Sequence, residues 1–208
     1  MYIGKKPTAA PLTSSDVEDG IITSAKIADG TIVNADVNAS AAIVASKLSG
    51  AGISVADQWR LTANITGTNA VISSNLEQCN TSAQDGASIG SAMSHSSGVW
   101  TFPSTGKYWV MFHGNGQAAS AADNMAVTLD STVNGGSNWT NIAYATDSGG
   151  GASQNQSAQM ICSSFIDVTD TSNVNVRFNT SSFSSGSYLG GDGDVNYATF
   201  TFIRLGDT

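Results

Sequence analysis

The stretch Gly98-Val-Trp-Thr-Phe-Pro-Ser-Thr-Gly-Lys-Tyr-Trp-Val-Met-Phe112 decides how the rest of the chain is read. Trp100 and Phe102 alternate toward one face, and Tyr108, Val110 and Phe112 resume the alternation after an interruption. Side chains two residues apart share a face in a strand. The interruption, Pro103 to Gly106, is turn chemistry: proline donates no ladder hydrogen bond, and glycine tolerates a positive φ. Two strands therefore meet in a hairpin or a corner at the centre of an all-β core.

Outward from this stretch, alternating segments recur at 58–65, 70–75, 99–102, 108–113, 125–131, 139–143, 159–168, 174–179 and 197–205. That density of short strands predicts an all-β jelly-roll sandwich of about ten strands over 54–208. The Gly/Ser-rich stretches 114–123, 145–157 and 180–194 read as long loops at one end of it,. Composition agrees: 22 glycines and 3 prolines disfavour long helices, and only 12% of residues are charged, about half the usual share,. Ser, Thr and Asn must then cover much of the surface.

A net charge of -8 leaves no basic patch to displace counterions from a nucleic acid or to meet an anionic membrane,. No window approaches the run of about 18 apolar residues that spans a bilayer, so no membrane insertion is expected. The start, Met-Tyr-Ile-Gly-Lys-Lys-Pro, lacks the apolar core of a signal peptide, which predicts synthesis in a cytoplasm without general secretion,. Cys79 and Cys162 are too few for a disulfide framework and read as buried, reduced thiols,.

Residues 1–53 form a separate N-terminal segment ending at the flexible Ser49-Gly-Ala-Gly52,. Tyr2, Ile3, Lys5 and Lys6 sit in a stretch that cannot bury itself, so it is either disordered or docked on another protein, and docking is the reading preferred. An internal repeat follows: Leu12 to Val17, Ile22 to Ile27, Ile32 to Val37 and Ile43 to Leu48 each pair apolar residues five apart, and the units recur every ten or eleven residues,. An interval of five fits neither a plain strand nor a helix, so turns at 18–20 and 28–30 must reset the direction. Such a narrow apolar ladder obtains a core only against copies of itself, as β-type rungs or, through Val37, Ala41, Val44 and Leu48, as a short helical seam. A solvated linker is the plain alternative.

Catalytic signals are sparse. His95 and His113 stand apart from any nucleophile motif and read as surface or capping histidines, and two Cys with two His give no zinc spacing,. Asp192-Gly-Asp-Val-Asn196 begins like a calcium loop, but Tyr197 replaces the glycine and Ile203 the bidentate glutamate,. Asp167 with Asp170, or Asp192 with Asp194, could pair as in a glycosidase, yet such carboxylates more often cap turns. No catalytic site, cofactor or metal is expected. Trp139, Tyr144 and Tyr188, set among polar residues, are candidates to stack on sugar rings.

Two resemblances extend this reading. Trp100-Thr-Phe-Pro103, Gly106-Lys-Tyr108, Phe165-Ile-Asp-Val-Thr-Asp-Thr-Ser-Asn-Val-Asn-Val-Arg-Phe178 and Thr199-Phe-Thr-Phe-Ile-Arg-Leu205 resemble the C1q and tumour necrosis factor family of jelly rolls. That resemblance implies a ten-stranded sandwich and a homotrimer, with Tyr108, Phe112 and Phe200 in the core or at the trimer seam. Tyr2-Ile-Gly-Lys-Lys-Pro7 and Pro11-Leu-Thr-Ser-Ser-Asp-Val-Glu-Asp-Gly-Ile-Ile-Thr-Ser-Ala-Lys-Ile-Ala-Asp-Gly30 resemble the N-terminal segments of tailed-phage virion and tail-fibre proteins. The second resemblance implies attachment to other virion proteins by the N-terminus, with the jelly-roll head turned toward a host-surface glycan or receptor. The expected location is the virion. A capsid decoration or connector protein without a receptor role is the alternative; a glycan-degrading enzyme is a more remote one.

Overall fold

The computed structural model describes residues 20, 22–38, 40–41, 43, 52–66, 69–86, 88–119, 124–148 and 156–208. The chain divides into two compact units, Met1–Ser49 and Gly50–Thr208.

In the first unit, the sequence repeat is also a repeat of conformation. Gly20 and Gly30 share a positive φ, 77° and 75°, and each is followed by a single 3-10 turn, Ser24–Lys26 and Asn34–Asp36. Lys26 N–H donates to the Thr23 carbonyl and Asp36 N–H to the Val33 carbonyl, both at 2.9 Å. The Asp36 carboxylate in turn accepts Val33 N–H at 3.0 Å. Residues 22–38 are therefore neither strands nor α-helix. Ile22, Ile27, Ile32, Val37 and Ile43 of the ladder are 37–57% exposed. Leu12, Val17 and Leu48, the docking candidates Tyr2, Ile3, Lys5 and Lys6, and Val44 of the helical seam lie outside the described residues.

The second unit is all-β. Its strands are β1 (Ala56–Leu61), β2 (Ile65–Thr66), β3 (Ala70–Val71), β4 (Leu76–Gln78), β5 (Ser94–Ser96), β6 (Val99–Thr101), β7 (Gly106–Ala118), β8 (Asn124–Thr132), β9 (Thr140–Ser148), β10 (Gln156–Val168), β11 (Asn175–Ser181), β12 (Tyr188–Leu189) and β13 (Ala198–Gly206). They form two antiparallel sheets. In the seven-stranded sheet β10 flanks one side of β7, and β13 and β12 flank the other; β1 and β4 extend beyond β13, and β2 beyond β12. The six-stranded sheet runs β5-β6-β11-β8-β9, with β3 also on β11. The expected jelly-roll sandwich is the observed fold.

The deciding stretch is a corner, not a hairpin: β6 belongs to one sheet and β7 to the other. Gly106, at φ 141°, starts β7 where a Cβ would meet the Arg204 guanidinium at 2.4 Å. Tyr108 Oη donates to the Ser104 carbonyl at 3.0 Å and closes the corner. The Tyr108 and Phe102 rings lie 4.6 Å apart across it. Behind the corner the two sheets enclose Trp100, Phe112, Phe178, Phe200 and Phe202, all fully buried.

Arg60 has no exposed surface although it carries a charge. Its Nη2 donates to Glu77 Oε1 at 2.9 Å and to Asn80 Oδ1 at 2.6 Å. Asp57, 3% exposed, accepts from Trp59 Nε1, Gln78 Nε2 and Met93 N–H. A buried charge persists only with such partners. Together these bonds tie β1, β4 and the 79–93 connection to one another.

The three stretches predicted as loops are strand in part: 114–118 completes β7, 145–148 completes β9, 156–157 opens β10, 180–181 ends β11, and 188–189 is β12.

Candidate functional site

The two outer faces of the sandwich differ in kind. On the six-stranded sheet, Asp130 accepts from Arg177 Nε at 3.1 Å, Asn179 Nδ2 at 2.9 Å and Asn141 Nδ2 at 3.3 Å, so its polar groups satisfy one another. Trp139 belongs to this surface, with the Arg177 guanidinium 4.3 Å from its ring centroid. Tyr144, on β9, is exposed.

The outer face of the seven-stranded sheet is apolar over one half. Even-numbered residues of β7 point inward and odd-numbered ones outward. Strand pairing then sets Phe165, Trp109, Ile203 and Ala56 in one row across four strands. Met111 lies in the next row, between Ser163 and Thr201, and Ile161 faces His113 in the one after. Phe165 is 74% exposed, Ile161 59% and Leu205 52%. Lys107 and Asp167, paired at 3.2 Å, edge the patch. Phe165 and Leu205 also line an open groove of about 490 Å³.

Tyr108, Phe112 and Phe200, the residues named for core or seam, have no exposed surface. They belong to the protomer's core; the outward-facing side chains of this part of β7 are Trp109 and Met111. Reasoning on one face of the strand missed the other, although Tyr108-Trp-Val-Met-Phe112 is apolar at every position, the signature of a strand covered on both sides,.

At the opposite end of the same face is a polar cavity of about 290 Å³, lined by Asn64, Asn115, Gln117, Ser157, Tyr188 and Tyr197. Of the three sugar-stacking candidates, Tyr188 lines this cavity, beside Tyr197, which the sequence did not single out.

The remaining candidate groups serve structure. The Asp170 carboxylate accepts Ser172 N–H and Asn173 Nδ2, both at 2.7 Å, and Asp192 accepts the N–H groups of Asp194 and Val195. These donors hold both carboxyls below the usual carboxylate range, opposite to the raised value of a glycosidase general acid. Asp167 is the Lys107 partner. Cys79 and Cys162 are buried free thiols, and burial pushes Cys162 up to about 12. Among the described residues no cluster of His, Cys, Asp or Glu could hold a metal.

His95 is not the surface histidine expected. It packs with Trp59 and Trp100, ring centroids 5.3 and 4.9 Å away, and its Nδ1 is buried without a partner. Loss of hydration lowers its pKa below the ordinary value,. The unfolded chain then binds the proton more readily, so stability is full above about pH 6.5 and declines as pH falls below it. Replacing His95 with Gln should flatten the dependence of the unfolding midpoint on pH below about 6.5. A slope equal to the parent's would remove His95 as its source.

The sequence matches no protein-family model and no curated protein. Among solved structures, the chain is similar to Eiger TNF from S. frugiperda, with TM-score 0.56 and 10% identity over 74% of this chain and 94% of that one. Murine APRIL is another, at TM-score 0.46 and 8% identity over 73% and 98%. The first of these likenesses, at so low an identity, is one of fold: residues 50–208 form a jelly roll of the tumour necrosis factor type.

Proposed function

We propose that this chain is a structural protein of a tailed-phage virion, a homotrimeric tail-fibre or appendage component without enzymatic activity. Its N-terminal segment, 1–53, attaches to other virion proteins, and its jelly-roll head, 54–208, meets a glycan or receptor on the host surface. The observation that carries the assembly is the apolar row Phe165–Trp109–Ile203 on one outer face, opposite a face whose polar groups are already paired. An uncovered patch of this kind marks a protein–protein contact. The C1q and tumour necrosis factor resemblance adds three as the number of chains. The exposed isoleucine and valine ladder fits the same symmetry, since three copies could cover one another's ladders,.

The virion assignment draws on the resemblance of residues 2–30 to phage attachment segments. Light scattering of the full chain and of residues 54–208 should give three copies for both. In particles assembled with tagged protein, only the full chain should be incorporated. A monomeric full chain removes the trimer, and exclusion of the full chain from particles removes the virion role.

A further inference from the structure

The polar cavity at the end of the seven-stranded sheet has a definite chemical character. Its wall is built from four separate segments: Asn64 after β1, Asn115 and Gln117 on β7, Ser157 on β10, and Tyr188 and Tyr197 from the 188–197 region. The backbone beneath is fixed. Asn115 N–H donates to the Tyr197 carbonyl, and Gly190 N–H donates to the Asn115 carbonyl, each at 2.8 Å. Asn64 Oδ1 accepts Gly191 N–H at 3.0 Å. The side chains above that backbone are uncommitted: among the described residues, those of Asn115, Gln117, Ser157, Tyr188 and Tyr197 make no hydrogen bond to another protein group.

These groups select a ligand class. An amide offers two donors and one acceptor oxygen, and a hydroxyl offers both, so the wall can meet neighbouring hydroxyls in either sense. None of the lining side chains carries charge at neutral pH, and the chain as a whole is at -8, which disfavours an anionic ligand,. Two tyrosine rings supply apolar faces with a polar edge. The volume is at the lower limit of small-molecule sites, about 300 Å³. A single pyranose ring, with a C–H face and a rim of hydroxyls, combines these properties.

We propose that this cavity is a binding site for one residue of a neutral glycan, with Tyr188 or Tyr197 against the sugar face and Asn115 and Gln117 on its hydroxyls. The site deepens the host-surface reading above and rests on it for the source of the sugar. It also moves the contact away from Trp139 and Tyr144, which lie on other surfaces of the head.

The test is saturation-transfer NMR on the full chain with neutral disaccharides of hexose and N-acetylhexosamine, and with a sialylated trisaccharide for comparison. Transfer to ring protons of at least one neutral sugar is expected. Asn115→Ala and Tyr188→Ala should each weaken it at least tenfold while solution mass and unfolding midpoint stay those of the parent. Should Tyr188→Ala fail to fold, Gln117→Ala, an outward side chain on a long strand, replaces it. The proposal is overturned by no transfer from any neutral sugar, by transfer unchanged in the variants, or by preference for the sialylated ligand. Sugar binding by a chain that is excluded from particles would leave the site standing and remove the virion role; incorporation without sugar binding would do the reverse.

Discussion

Replacing Trp100 with alanine should lower the unfolding midpoint of the jelly-roll unit by roughly 6–20 °C. This follows from about 3–5 kcal/mol for truncating a buried tryptophan and about 2–4 °C per kcal/mol in a domain of this size. Trp100 has no exposed surface, and its ring lies 5.2 Å from Trp59, 4.9 Å from His95, 5.8 Å from Phe200 and 5.0 Å from Phe202. It therefore joins the strand before the corner to β1, β5 and β13, and so one sheet to the other. A cavity there cannot collapse, because its walls are backbone-fixed strands in two sheets. Trp100→Phe should recover a large part of the loss, since a ring still spans the gap. Thermal unfolding followed by circular dichroism measures it, and a shift under about 3 °C would mean that the sheets are held together elsewhere.

The corner and core were legible because their signals are local. Alternation of period two in 99–102 and 108–112, and turn chemistry at 103–106, identify two strands and the break between them without any knowledge of partners. The ends of the long strands were not. Gly114-Asn-Gly116 reads as loop, yet it lies inside β7, where a Cβ on Gly114 would come within 2.3 Å of the Phe112 ring. Glycine there makes room for an aromatic neighbour, and composition alone does not distinguish that use from a turn. Of the two-residue strands, β3 falls inside the alternating 70–75 and β2 starts at the end of 58–65, whereas β12 carries no periodicity and exists through its pairing.

The same distinction governs the candidate sites. Tyr188 could be picked out as an aromatic among polar residues, but Asn115, Gln117 and Tyr197 become neighbours only through strand register. Trp139 looked equally available and is instead stacked by Arg177, 38 positions away. The apolar outer face lay between these extremes. Its rows follow from register, while the five consecutive apolar residues from Tyr108 to Phe112 already required cover on both sides of β7,.

For the proposed trimer, Phe165→Asp should convert the full chain from three copies of 21.2 kDa to one. Phe165 is three-quarters exposed at the end of the Phe165–Trp109–Ile203 row, so the change removes little from the protomer's own packing. At a buried contact the same ring would be an anchor, worth about 2 kcal/mol or more per interface. Aspartate also places a second carboxylate on the same face as Asp167, two residues along β10,. A closed ring of three chains has three equivalent interfaces, and all three weaken together. Two or three such losses, about 4–6 kcal/mol, remove most of the roughly 8 kcal/mol that holds an interface together at micromolar concentration. The separated protomer should keep the parent's far-ultraviolet circular dichroism and a cooperative unfolding transition, at a midpoint lowered by the lost assembly, which distinguishes lost assembly from lost folding. Tyr144→Ser, on the opposite sheet and 55% exposed, should leave the mass at three copies. If Phe165→Asp stays at three copies and Tyr144→Ser falls to one, assembly runs through the six-stranded sheet, and Trp109 and Phe165 are left free for another partner.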